Sequence, residues 1–464
     1  MAAAETRRTD VLVIGAGGGG YPAAFLLRRA GRHVVMVDPI GNLGGDCLAE
    51  GCVPSKAVRE ASLARARVGR LSGFGLSATL PEVDWVGVLA HKDRVQRTRY
   101  AQHLEELSSA GMELVTGVAR VTGPDRVEIE QAAGGRLDVT FTDLILATGS
   151  APSRPAIPGA ELAVTSHDLF RLGSTVPFPE RPVIVGGGYI GVEVASMLQN
   201  LGAAPVVLEA SDTLLPGFDE ELATRLRDAL DSRVEIHAGV PVSSISPAGT
   251  GYRVAYGAES SAGAVDGDLV LLATGRDPVL PEGVEALGLD PSHARPVDHQ
   301  LRTSNPRVYA PGDVNARSML FHSAVRQSLV AGHVILAGGQ PVDAMNFDSV
   351  PMTVFTEPEV AHVGLTETTA RERLREVAVT RYDFAADARA QILGETEGFL
   401  KLVWDASTAR LVGAQVLGLD AAHLVAPLAL AVETSTTAAA LADVAFPHPM
   451  LTEGINKAAR AFHA

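Results

Sequence analysis

The sequence predicts an α/β protein in about three parts, and three observations predict it. The chain has 464 residues, too many for one ordinary hydrophobic core, and domains of roughly 100–200 residues imply about three. Its 46% apolar content comes with 47 glycines and only 5% aromatics, the balance of a chain rich in tight strand-to-helix turns. A pattern of strand, glycine turn, helix, strand and acid also occurs twice with one internal spacing.

The first copy opens with a strand-like run at residues 10–14, followed by a glycine turn at 15–20. A helix-compatible stretch (21–30) and a second strand (33–37) ending in Asp38 complete it. Gly15, Gly17 and Gly20 fit a spaced-glycine fingerprint: a tight turn, close backbone approach to a pyrophosphate at a helix N-terminus, and close helix-on-sheet packing. The second copy runs from residues 182–185 through Gly186, Gly188 and Gly191, a helix at 192–201 and a strand at 205–208, to Glu209. Gly15 to Asp38 and Gly186 to Glu209 are the same 23 residues apart. One such glycine string has many false positives; two, each after a strand and each closed by an acid, imply two bound dinucleotides. Asp38 and Glu209 are placed to accept hydrogen bonds from a ribose, and the acid at Glu209 favours NADH over NADPH. Each unit is closed by a buried-type strand ending in Ala-Thr-Gly, at 144–149 and 269–275. Thr148, Gly149 and Gly275 therefore join the cofactor-binding set.

The only two cysteines, Cys47 and Cys52, lie just after the second strand of the first unit. A disulfide closing so short a loop restrains the unfolded chain only modestly, so chemistry is the better reason for it. A nicotinamide cannot stay bound through both halves of a thiol relay, so the first unit is expected to hold FAD and the second NAD. Two cysteines make no secreted-type disulfide scaffold, which points to a reducing cytoplasm. No apolar run is long enough to span a bilayer, and a net charge of −15 argues against nucleic acid or anionic membrane as a partner.

With these residues in view, the chain resembles the FAD-carrying pyridine nucleotide–disulfide oxidoreductases, and among them most resembles the dihydrolipoamide dehydrogenases. Besides the two fingerprints, the likeness rests on the segment from Gly45 to Lys56, on residues 308–313 and 355–360, and on residues 448–453. The resemblance implies that Cys52 is the flavin-side sulfur and Cys47 the one exchanging with substrate. The local sequence agrees: Pro54 suits a first helical turn, and a helix N-terminus would stabilise a thiolate at Cys52. It further implies Lys56 beside the flavin, paired with Glu193, and Asp313 on the ribityl chain of FAD. His448, oriented by Glu453, would be the base, acting on the active site of the other subunit. His322 is the one other histidine expected near the flavin.

The resemblance also implies the architecture. An FAD domain would comprise residues 1–150 and about 276–343, an NAD domain 151–275, and a C-terminal α+β dimerisation domain 344–464. The expected activity is electron exchange between NAD(H) and a small dithiol or disulfide, foremost dihydrolipoamide and lipoamide, free or as a protein-bound lipoyl group. Another small disulfide, a persulfide or a specialised metabolite is an alternative substrate, and a binding subunit of a multienzyme complex is a non-catalytic alternative. Asp46, Ala49, Glu50, Phe446 and Met450 depart from the family pattern and bear on substrate identity. A C-terminal redox cysteine pair, as in mercuric reductases and high-molecular-weight thioredoxin reductases, is not expected. Soluble transhydrogenases lack the active cysteines, and glutathione-type reductases place basic residues where Glu209 stands.

Overall fold

The structure, a computed structural model, describes residues 5–230, 234–257, 262–290 and 297–462. The other positions of the expected domain ranges lie outside the described residues.

The first unit is built on a parallel sheet. Its strands lie in the order Glu113–Gly123, Val34–Asp38, Val11–Ile14, Asp143–Leu146 and Val308–Tyr309. Val11–Ile14 and Val34–Asp38 are buried at every residue, as befits strands covered on both faces. Val11, Val13, Val34 and Met36 meet α1 (Tyr21–Arg29) and α8 (Phe321–Leu336) through Ala23, Ala24, Leu27, Val330 and Val334. Leu12, Ile14, Val35 and Val37 meet an antiparallel extension through Val127, Ile129, Leu137 and Val139.

The inserted unit repeats this construction. Pro182–Val185 lies between Val206–Leu208 and Leu269–Leu272, all parallel. Ile184, Val207 and Leu271 face α6 (Tyr189–Leu201) and α7 (Glu220–Ala229). Val183, Val185, Val206 and Val270 face a three-stranded antiparallel sheet through Ile245, Val254 and Val265. The chain enters and leaves this unit through paired strands, Ser150–Pro152 against Arg276–Pro278. Both strands expected to end in Ala-Thr-Gly stop one residue earlier than that triplet, at Leu146 and Leu272. The backbone of the alanine and threonine of each triplet lies against the first glycine of the turn instead.

The C-terminal unit is an antiparallel five-stranded sheet in the order Met352–Val354, Val360–Gly364, Arg410–Gly418, Gly398–Asp405 and Val377–Asp383. One face buries Leu400, Leu402, Trp404 and Val416 against helices Ala421–Glu433 and Glu453–Arg460. Polar ties join the units. Lys401 Nζ lies 2.7 Å from Asp219 Oδ1, with both side chains 6% exposed. Arg59, on α3 (Cys52–Gly69), lies 2.7 Å from Glu359. Fully buried Lys92, on α4 (Trp85–Ser109), is satisfied by Asp93, Gln96 and the carbonyls of Phe170 and Arg171.

Candidate active site

The two glycine turns are near copies. A Cβ on Gly15 would lie 2.2 Å from the Ala147 oxygen, and one on Gly186 2.4 Å from the Ala273 oxygen. Each first glycine has positive φ, +100° and +107°. A Cβ on Gly20 or Gly191 would lie 1.9 Å from the carbonyl oxygen of Gly15 or Gly186 respectively. Only glycine fits these four positions, and each turn therefore presents bare backbone at the N-terminus of α1 or α6, where a pyrophosphate is favoured. A dinucleotide fits both cradles.

The closing acids also match. Asp38 accepts from the amides of Ala16 and Ile40, and Glu209 from those of Gly187 and Ser211. Both are buried, and burial holds Asp38 above the ordinary carboxyl range against its amide bonds. Their first task is thus to fasten the turn, and each oxygen keeps a second lone pair for a ribose hydroxyl. Gly17 meets Gly45 backbone to backbone: a Cβ on Gly45 would lie 2.8 Å from Gly17 Cα. That contact lays the cysteine segment directly on the first turn. Around Gly149, Gly188 and Gly275 there is open space, and the Thr148 hydroxyl donates to the carbonyl of Val279.

Cys47 sits on α2 (Gly45–Ala49), and Cys52 is the first residue of α3 after Gly51. Both are free thiols, Cys47 half-buried and Cys52 exposed. Pro54 falls within the first turn of α3, where no backbone donor is needed. The pair is electrically asymmetric. A hydrogen bond from Cys47 lowers the Cys52 pKa, partial desolvation of the sulfur by the atoms packed around it opposes this although the residue keeps surface in water, and the Lys56 charge one turn on lowers it further. Cys47 is pushed far up by its bond to Cys52, by burial and by the charge of Cys52. The first proton therefore leaves Cys52, whose position at a helix N-terminus favours an anion.

Lys56 and Glu193 meet as the motif predicts, Nζ to Oε2 at 2.8 Å, across two units. The Glu193 side chain is 9% exposed, so this is not a solvated surface pair. Its Oε1 accepts from the Phe355 amide at 2.9 Å, and the Lys56 ammonium lies 4.4 Å from the Phe355 ring centroid. One carboxylate thus joins all three units. His448 Nδ1 lies 2.9 Å from Glu453 Oε2, at the start of helix Glu453–Arg460, and the imidazole is 72% exposed. Burial would raise the Glu453 carboxyl, but His448 and Lys457 hold it below its usual range. That arrangement fixes one ring nitrogen and leaves the other to take a proton. Phe446 packs into the C-terminal core, while Met450 is exposed.

Asp313 follows strand Val308–Tyr309 and accepts from Ser150 Oγ at 2.6 Å; burial raises its carboxyl pKa. His322 is exposed on the first turn of α8, with Nε2 2.7 Å from the Pro351 carbonyl. Its neighbour Phe321 is the side chain that reaches the glycine turn, since a Cβ on Gly18 would lie 3.0 Å from that ring. Sequence reasoning missed two residues beside the cysteines. His167, on α5 (Ser166–Phe170), lies 2.7 Å from Asp46 and 2.6 Å from Glu50, and Arg276 lies 2.7 Å from Asp46. Arg276 follows the second Ala-Thr-Gly and could have been marked from that position; His167 has no sequence signal.

Two nucleotide units, a cysteine pair on the first turn and a separate C-terminal sheet define a flavin-dependent disulfide oxidoreductase. Residues 9–328 match the pyridine nucleotide-disulphide oxidoreductase family and residues 350–459 its dimerisation domain, and the chain belongs to that family. The family uses FAD and a pyridine nucleotide. The chain is similar to the dihydrolipoyl dehydrogenase of Bacillus subtilis, with 33% identity over 96% of this chain and 94% of that one. It is also similar to the glutathione reductase of Burkholderia cepacia, 34% identical over 96% and 97%. Among solved structures it is similar to a Cu(II) complex of the HOCl-induced flavoprotein disulfide reductase RclA from Escherichia coli. That likeness has a TM-score of 0.84, 26% identity and coverage of 98% and 99%. Among the described residues no helix is long and apolar enough to cross a membrane.

Proposed function

We propose that this chain is a dihydrolipoyl dehydrogenase-type enzyme, exchanging two electrons between NAD(H) and a small dithiol by way of FAD and the Cys47–Cys52 pair. The single observation that carries the reading is the asymmetry of that pair: one sulfur at a helix N-terminus beside Lys56, the other retaining its proton. In the oxidative direction a substrate thiolate attacks Cys47 of the disulfide, forming a mixed disulfide and releasing Cys52 as thiolate. The second substrate thiol then attacks the substrate sulfur bound to Cys47, leaving an oxidised cyclic substrate and the enzyme dithiol. A substrate thiol with pKa near 8.5 needs a proton acceptor at neutral pH. His448 of the partner subunit, oriented by Glu453 in its own chain, would serve. FAD, which the glycine turn at 15–20, Lys56 and Asp313 would hold, would supply two-electron chemistry between the Cys52 side of the pair and NAD⁺. Lys56, held by Glu193, keeps a positive charge beside Cys52, and Glu209 disfavours a 2′-phosphate.

The names of the relatives support dihydrolipoamide and lipoamide as the substrate pair, free or on a protein. A second reading, a reductase of another small disulfide, is favoured by one observation: Asp46 and Glu50, where the family pattern differs, place two acids beside Cys47. Two measurements test the proposal. NADH titration of the purified yellow protein should develop the long-wavelength absorbance of a thiolate beside oxidised flavin, and a colourless protein would refute the relay. Side-by-side turnover of lipoamide and other disulfides with NADH decides the substrate, and no lipoamide activity would overturn the first choice.

A further inference from the structure

The group of charged side chains that the relay leaves unused lies against α2. Asp46 precedes Cys47 and Glu50 follows it by three residues, and they grip one imidazole by its two nitrogens: His167 Nε2 to Asp46 Oδ1 at 2.7 Å and Nδ1 to Glu50 Oε2 at 2.6 Å. An imidazole can donate from both nitrogens only as imidazolium. Arg276 Nη2 takes the other Asp46 oxygen at 2.7 Å, and its Nε donates to Ser150 Oγ at 2.8 Å. Its Nη1 also lies 3.3 Å from His167 Nε2, a like-charge contact held together by the shared carboxylate. Two cations thus face two anions, and the side chains of His167, Asp46 and Glu50 form a compact, half-buried set. His167 comes from the inserted unit and the acids from the cysteine segment, so the set also ties one unit to the other.

We propose that His167 is a positioning residue of the redox pair: as an imidazolium clamped between Asp46 and Glu50, it cancels the two carboxylates flanking Cys47 and lets Cys52 carry the negative charge of the reduced dithiol. The inference deepens the reading of Cys47 and Cys52 as the redox centre and rests on it.

The electrostatics agree. Burial would lower the His167 pKa, but its bonds to Asp46 and Glu50 raise it to about 9, so it is charged at neutral pH. The charge of Asp46 acts to raise the pKa of both cysteines. Lys56 on α3 favours the Cys52 thiolate and Glu193 on α6 disfavours it. Tyr189 on α6 and Tyr21 on α1 face the cysteines and are themselves held up by burial. Tyr100 on α4 faces Glu50, and Asp313 faces Asp46. None of these supplies the positive charge between Asp46 and Glu50 that His167 does.

The test follows the pH dependence of iodoacetamide alkylation at each cysteine in the dithiothreitol-reduced holoenzyme, resolved by peptide mass spectrometry. Taking away the positive charge that offsets Asp46 should raise the Cys52 midpoint in His167→Gln by roughly one pH unit, the size expected of one nearby charge. Because the thiolate stabilises the reduced form, the dithiol–disulfide equilibrium should also move about tenfold toward disulfide, roughly 30 mV. His167→Lys, which keeps the charge, should recover most of both shifts. Glu50→Gln should move the Cys52 midpoint the opposite way, downward, and serves if His167→Gln does not fold. A folded His167→Gln with an unmoved midpoint, or a Glu50→Gln midpoint that stays or rises, overturns the proposal. If the unmodified enzyme itself forms no Cys47–Cys52 disulfide, it is the redox reading that fails, a result distinct from either.

Discussion

The Lys56–Glu193–Phe355 junction allows a test in which stability and thiol chemistry respond with different signs. Glu193 accepts one hydrogen bond from the Lys56 ammonium at 2.8 Å and one from the Phe355 amide at 2.9 Å. Glu193→Gln keeps the shape but has one oxygen for two donors, so an NH₂ group must face either an ammonium or an amide N–H. A hydrogen bond to a charged group contributes about 1.5–3 kcal/mol. Lys56 keeps about a third of its side chain in water, which limits the loss, so we expect about 2 kcal/mol. Lys56→Met should cost a similar amount, because it strands the carboxylate of a side chain only 9% exposed. The double variant should lose less than the sum, with a coupling energy of about 1–2 kcal/mol in urea unfolding. Cys52 should respond oppositely to the two single changes, since Lys56 lowers its pKa and Glu193 raises it. Its alkylation midpoint should therefore rise in Lys56→Met and fall in Glu193→Gln. Shifts of the same sign, or a coupling below about 0.5 kcal/mol, would refute the reasoning.

Further outcomes can be checked on the same material. The His167 pKa is raised in the folded protein from 6.5 to about 9, so its stabilisation is fully present below about pH 6.5 and is lost as pH rises toward 9. That window corresponds to about 3 kcal/mol, and urea unfolding from pH 6 to 9 should show a steeper loss for the unmodified chain than for His167→Gln. Gly20→Ala places a methyl group 1.9 Å from the Gly15 oxygen, so the purified protein should lose most of its flavin absorbance. Gly191→Ala, its counterpart in the second turn, should keep the flavin and raise the KM for NADH instead. His448→Gln should slow dithiol oxidation by about 10²–10⁴-fold while leaving NADH-driven flavin reduction intact, as seen by stopped-flow absorbance.

What the chain discloses on reading depends on whether its signal is local. The glycine turns are spaced by backbone geometry within about 25 residues, so both units, their strands and their helices can be read directly. Lys56–Glu193 and His448–Glu453 are legible because a motif marks each partner, and the structure brings each pair together. Asp38 and Glu209 are half legible: the pattern places the acids at the strand ends, while their amide bonds to the glycine turns need the folded loop. His167 could not be found. It sits on a five-residue helix more than a hundred positions from Asp46, with no period or spacing to connect them. In the sequence Asp46 and Glu50 are visible only as departures from the family pattern, and the imidazole they share is visible only in the fold. No motif marks His322, and what the fold adds is local: one ring nitrogen lies against the Pro351 carbonyl.

Strand Val308–Tyr309 completes the first parallel sheet by pairing with Asp143–Leu146, yet the whole inserted unit is encoded between them. A ribosome adding about 5–20 residues per second makes the second of these strands about 160 residues, or roughly 8–30 s, after the first. Through that interval Asp143–Leu146 has one open edge, the kind of edge that recruits other chains. The inserted unit, whose strands all lie between Val164 and Leu272, emerges whole within the same interval. The order of synthesis therefore lets the second nucleotide unit fold before the first can close, and makes the growing chain most vulnerable to misassembly just before Tyr309 leaves the ribosome.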